Sequence, residues 1–184
     1  MGAWVTAASA IFIAILAASL AYWNSVRLGK QQARIDRVNA QLSEFYGPLL
    51  AHSHVALNAR LVFLRRYSAN RPYVFRKGEE VSDETRDAWI AWMKTVFMPA
   101  NRAMVKLIVE KTHLLDGEDM PPEFHTFLAH VSGYEVVMKR WEQGDYSTYL
   151  SLIPHPGPKF HEYIAETFAR LKRRQQDLLG AHAG

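Results

Sequence analysis

The chain has 184 residues, a formal charge of +4 and no cysteine. The missing cysteine excludes disulfides, thiolate metal sites and cysteine nucleophiles. The mild, dispersed basic excess is not the concentrated patch of a nucleic-acid binder, so no nucleic-acid partner is expected.

The first predicted element is a membrane span. Ala3–Trp23 contains no charged residue, and about twenty apolar residues cross a bilayer core as a helix. Trp4 and Trp23 stand near its two ends, where indoles favour the membrane interface. Ser19-Leu20-Ala21 fits the small-x-small pattern of a cleavage site. A signal peptide would nevertheless carry basic residues ahead of the apolar run, and none stands there, so a retained single-pass anchor is expected. Arg27, Lys30, Arg34 and Arg37 follow, opposed by Asp36 alone. The positive-inside rule then places the N-terminus outside the inner membrane and the C-terminal domain in the cytoplasm. The same cations, with Trp4 and Trp23, are expected to touch lipid head groups.

Within the span, Ala7, Ala10, Ala14, Ala17 and Ala21 recur at steps of three and four. Such a stripe lets another transmembrane helix approach closely. The same frame continues through Asn24, Leu28, Gln31, Ile35, Val38, Leu42 and Phe45, where larger side chains would supply the buried area that association in water requires. Ala7 to Ala21 with Leu28, Ile35, Val38, Leu42 and Phe45 are therefore the expected helix–helix interface. Ile11, Phe12, Ile15, Leu16 and Leu20 are left to face lipid. An amphipathic stripe can equally pack on the protein's own domain.

Gly47-Pro48 is expected to bend or interrupt this helix, since proline cannot donate to the ladder. A helix from Pro48 to about Ser68 follows, with Leu50, Leu57, Leu61 and Leu64 on one face. YVFRKGEEVS reads as a loop or small hairpin around Gly78. Ser82 is an N-cap, with Asp83 and Glu84 in the positively poled first turn. The next helix carries Trp89, Trp92, Met93, Val96 and Phe97. Pro99 kinks or breaks it, and helix resumes to about Leu115. Asp116-Gly117 turns, and Pro121-Pro122 opens a helix with Phe124, Phe127, Leu128, Val131, Tyr134, Met138 and Trp141 in helical period. Gly144 stops it. YSTYLSLIPHPGP is a proline-rich crossing segment, apolar enough to lie on the core. The last helix starts near Pro158, carries Phe160, Ile164, Phe168, Leu171 and Leu178, and ends at Gly180.

Chemistry-bearing patterns are weak. His52/His54 and His125/His130 have poor spacing for shared ligation on one helix. Glu110 and His113 match the E-x-x-H of bundle di-iron sites, but no second copy exists. There is no nucleophile elbow, Walker loop or dinucleotide fingerprint. Ser53, Ser132 and Ser147 have histidines or acids near them in sequence only. Trp89, Trp92, Phe97, Phe124, Phe127, Tyr134 and Trp141 suit either a core or a ligand pocket. Arg65, Arg66, Arg71, Arg76 and Lys77 form one basic cluster, and Arg170, Lys172, Arg173 and Arg174 another.

The sequence therefore predicts an all-α protein: a transmembrane anchor over 1–24, a juxtamembrane amphipathic helix over 25–47, and a helical bundle domain over 48–184. The expected role is a non-catalytic structural, assembly or regulatory subunit of a membrane complex. Its partners would be lipid and other transmembrane helices, in a complex or a homo-oligomer, without cofactor or metal. The alternative is a membrane-tethered ligand-binding or sensor domain with an aromatic-lined pocket, and a metal enzyme using Glu110 and His113 is a third.

Overall fold

Two prolines sit inside helices of this chain, and the backbone accommodates both in the same way. The structure is a computed structural model describing residues 2–68, 75 and 81–180, the side chains of residues 2–11 and 14 excepted. Helix α1 (Gly2–Ala40) passes through a π-helical stretch, Gln41–Tyr46, into α2 (Gly47–Tyr67). Helix α3 (Asp83–Trp92) passes through a second one, Met93–Phe97, into α4 (Met98–Glu110). In each case the residue before the proline donates its N–H five residues back, Gly47 to Leu42 O and Met98 to Met93 O. A proline ring collides with the carbonyl four residues before it. One extra residue in the turn relieves that collision without ending the helix. The expected interruptions at Gly47-Pro48 and Pro99 are thus local widenings of helices that run on.

A 3-10 turn (Thr112–Leu114) leads to α5 (Pro122–Glu142), and α6 (Pro158–Gly180) closes the chain. The fold is all-α, with no strand among the described residues. Ser82 caps α3 as expected, its hydroxyl accepting from Thr85 N–H at 3.2 Å. Gly117 and Gly144 take positive φ where the chain turns after α4 and α5, conformations that cost a side-chain-bearing residue more. The anticipated hairpin around Gly78 lies outside the described residues, as do Arg71, Arg76 and Lys77 of the first basic cluster.

Contacts divide the chain into two units, Met1–Asn39 with Arg173–Gly184, and Ala40–Lys172. In the larger unit α4 packs on α2 and α5. Its core joins Phe63, Trp89 and Phe97 to a second group in which Phe127 stacks on Phe160 at 4.2 Å and Phe124 meets Phe45 edge-on at 6.2 Å. The buried face of α2 is Leu49, Ser53, Phe63 and Leu64. Leu57 and Leu61 are exposed, which corrects the leucine face expected for this helix: the buried stripe runs through Leu49, Ser53 and Phe63 and shares only Leu64 with it.

Gly47 is fixed by that turn. A Cβ there would lie 2.5 Å from the Leu42 carbonyl oxygen. Alanine ordinarily gains about 1 kcal/mol over glycine in a helix. Gly47→Ala should instead destabilise by about 1–3 kcal/mol, the usual cost of overpacking. Gly29→Ala, with nothing within 4 Å of its Cβ, should be neutral or stabilising. Thermal melts followed by circular dichroism compare the two, and equal melting temperatures would refute the role given to Gly47.

Candidate functional site

The residues expected to meet a partner helix fall into three groups. Ile35, Val38, Leu42 and Phe45 are 6, 2, 7 and 0% exposed within this chain alone. They are interface residues, but the chain covers them itself, so the expectation that they extend an intermolecular seam is corrected. Leu28, Ala17 and Ala21 are exposed. Ala7, Ala10, Ala14 and Trp4 lie outside the described side chains.

Among the described residues no helix is long and apolar enough to cross a membrane. The Ala3–Trp23 run enters the described side chains only at Phe12. From there Phe12, Ile13, Ile15, Leu16, Leu20, Tyr22 and Trp23 are all exposed, between 47 and 70%. They occupy about half the circumference of α1, and the exposed Ala17, Ala18 and Ala21 occupy the other half.

The expected head-group residues converge. Trp23, Arg27, Lys30 and Arg34 line one groove of about 440 Å³. Their steps of four, three and four place them on one face of α1. Val26 and Gln31 complete the α1 side, and Leu178 of α6 forms the opposite wall within the same unit. In that unit Gln175 of α6 also donates to Asn39 Oδ1 at 2.6 Å. Arg37 is exposed but outside the groove. Asp36, the acid of this stretch, accepts from Gln32 Nε2 at 2.8 Å. Arg27, Lys30 and Arg34 form no ion pair with a carboxylate among the described residues. A second groove, about 300 Å³ between α4 and α5, is different. There Arg102 grips Glu135 through two bonds of 2.7 and 2.8 Å, which neutralises the pair and holds the Glu135 carboxyl below its ordinary range.

Histidines meet in pairs that spacing along one helix does not reveal. His130 and His155 stand edge to face at 5.0 Å, and His54 and His161 at 4.6 Å. The partners come from different elements. His130 Nδ1 lies 2.7 Å from Ile153 O, and a carbonyl only accepts, so Nδ1 carries the proton. His155 Nδ1 accepts from Gly157 N–H at 2.9 Å. Both rings thereby hold the proline-rich segment. Ser53 contacts His161 Nδ1 at 3.1 Å and donates its one proton to Leu50 O at 2.9 Å. His161 is then the donor, the reverse of a base activating a serine. His113 sits in the 3-10 turn, beyond the end of α4 at Glu110. Among the described residues no three His, Asp or Glu side chains are placed to hold a metal. Of the aromatics raised as a possible pocket lining, Trp89 and Trp92 pack on Phe63, Trp89 also on Phe97, and Phe124 and Phe127 pack on Phe160.

No protein-family model matches the chain, and comparisons with curated proteins and with solved structures give no match either.

The histidines make stability pH-dependent. Burial pushes the buried His130 below the ordinary imidazole value. Burial, then the nearness of His130 and Arg60, pushes His155 down to about 4. Burial and His54 lower His161. The unfolded chain therefore binds more protons than the folded one just below pH 6.5, and stability is lost as pH falls through that region. A full proton difference corresponds to about 1.4 kcal/mol per pH unit. His155 has an exposed edge, so screening reduces its share. The melting temperature should fall between pH 7.5 and 5.5, and His130→Asn, which keeps an N–H toward Ile153, should flatten the profile. A profile already flat in the unsubstituted protein would contradict the assignment.

Proposed function

We propose that the chain is a membrane-anchored, non-catalytic helical protein, acting as a structural, assembly or regulatory subunit of a membrane complex. The observation that carries this reading is the stretch of α1 up to Trp23. Its large apolar side chains are exposed on one half and its alanines on the other, and the uncharged run is long enough for a bilayer core. A helix apolar all round is stable where lipid or other helices surround it. The basic residues that follow support an orientation with the C-terminal domain in the cytoplasm and the N-terminus outside.

The subunit role rests on what the helix offers a partner. With Ile35 to Phe45 covered by the chain itself, contact with another transmembrane helix would run through the Ala7–Ala21 stripe, where small side chains allow close approach. The larger unit supports a non-catalytic reading: Ser53 donates its proton to a backbone carbonyl, and His130 and His155 bind backbone atoms.

Membrane extraction tests the anchor. The unsubstituted full-length chain should remain in the membrane pellet after alkaline carbonate treatment. Each aspartate near the centre of a span costs about 3 kcal/mol, so Ile15→Asp with Leu20→Asp should release it into the supernatant. Release of the unsubstituted chain, or retention of both, would sink the anchor reading.

A further inference from the structure

We infer that the groove between Trp23 and Arg34 is a binding site for one anionic phospholipid, its phosphate held by Arg27, Lys30 and Arg34 and its glycerol and first acyl carbons lying against Trp23. The inference rests on the proposal that α1 enters a bilayer, and it adds a ligand class and a discrete site.

Three features of the groove fit that ligand. The first is charge. Three cations line the groove with no carboxylate among its walls. Asp36 is bonded to Gln32, and Asp177, beside Leu178 in sequence, does not line it. Like charges gathered on one helix face repel, so an anion among them is stabilised. The second is order along the axis. Trp23, Arg27, Lys30 and Arg34 cover about 16 Å at 1.5 Å per residue, with the indole at the end nearest the apolar run and the cations beyond it. An amphipathic ring at interface depth with cations just outside matches the sequence of a lipid from acyl chain to phosphate. Side chains of a helix lean toward its N-terminus, which here tilts all three cations toward the apolar end. The third is shape. A second wall, Leu178 of α6, turns the basic face into a groove with an apolar side. A bare basic helix would attract a charged surface, whereas a walled groove of about 440 Å³ accepts part of one molecule.

The test uses the full-length chain in neutral detergent with equimolar phosphatidylglycerol and phosphatidylcholine, and native mass spectrometry reads the lipid retained. Phosphatidylglycerol should be retained at least about fivefold over phosphatidylcholine, the factor that one cation near an anionic surface supplies. Arg27→Gln, Lys30→Gln and Arg34→Gln together should bring the ratio near one. Arg65→Gln, Arg66→Gln and Lys139→Gln remove as much charge from exposed positions elsewhere and should leave it unchanged. Equal retention of the two lipids would overturn the inference. So would an equal loss in both triple variants, or abolition of the preference by excess glycerol 3-phosphate, which would make the ligand a soluble phosphate. Flotation with pure phosphatidylcholine vesicles reads the anchor separately: a chain that fails to float refutes membrane insertion, while the lipid ratio in detergent still decides the groove.

Discussion

The widened turn at Gln41–Tyr46 is the constraint from which the larger unit is organised. Four of its six residues, Gln41, Leu42, Phe45 and Tyr46, are buried, more than one face of a regular helix would bury. Around it the corner after α4 is fastened by hydrogen bonds. Gln41 Nε2 donates to Leu114 O and Leu115 O at 3.1 and 3.4 Å. Tyr46 Oη accepts from Asp116 N–H at 3.1 Å, and Lys111 pairs with Glu44 at 2.7 Å. Asp116 in turn receives Arg170 of α6 at 2.8 Å. Proline at 48 forces the turn, the turn aims these side chains, and they hold the corner that links α4, α5 and α6.

A second set of bonds explains how a proline-rich segment stays on an aromatic core. Three ring donors reach its carbonyls: Trp141 Nε1 to Thr148 O at 2.9 Å, Trp89 Nε1 to Tyr149 O at 3.1 Å, and Tyr134 Oη to Tyr149 O at 3.2 Å. Buried indole and phenol groups need partners, and a segment without a helical ladder leaves carbonyls open. Gly133 permits the approach, since a Cβ there would strike the Ser151 hydroxyl, which itself donates to His130 O at 3.2 Å. Trp89, Tyr134, Trp141 and His130, raised as possible ligand or cofactor groups, thus have a structural use for their polar atoms.

Helix positions were legible in the sequence because periodicity, caps and prolines are local signals. Ser82 as a cap, the α5 stripe from Phe124 to Trp141 and the span Pro158–Gly180 all follow from neighbours in the chain. The face of α2 was not legible, because Leu57 and Leu61 stay exposed while the polar Ser53 is buried with its hydroxyl bonded to Leu50 O. The histidine pairs were not legible either, since His130 meets His155, and His54 meets His161, only through tertiary packing. Of the candidate site, the cations and Trp23 were readable as a run of residues near an apolar segment. The wall that makes them a groove comes from Leu178, near the other end of the chain, and no spacing rule connects the two.

The apolar stripe of α1 shows why a period identifies an interface without identifying its owner. One frame of three- and four-residue steps runs from Ala7 to Phe45. At its C-terminal end, from Ile35 onward, the chain supplies its own cover. At its N-terminal end the two described alanines of the frame, Ala17 and Ala21, are exposed. Side-chain size changes in the same direction, from alanine to branched and aromatic residues. Burial in water rewards area, whereas helix association in lipid rewards close backbone approach. A sequence under both demands would place bulky residues where it folds on itself and small ones where another helix lies alongside. Between the two regions, from Trp23 to Arg34, neither demand applies. The face there is basic and walled by Leu178.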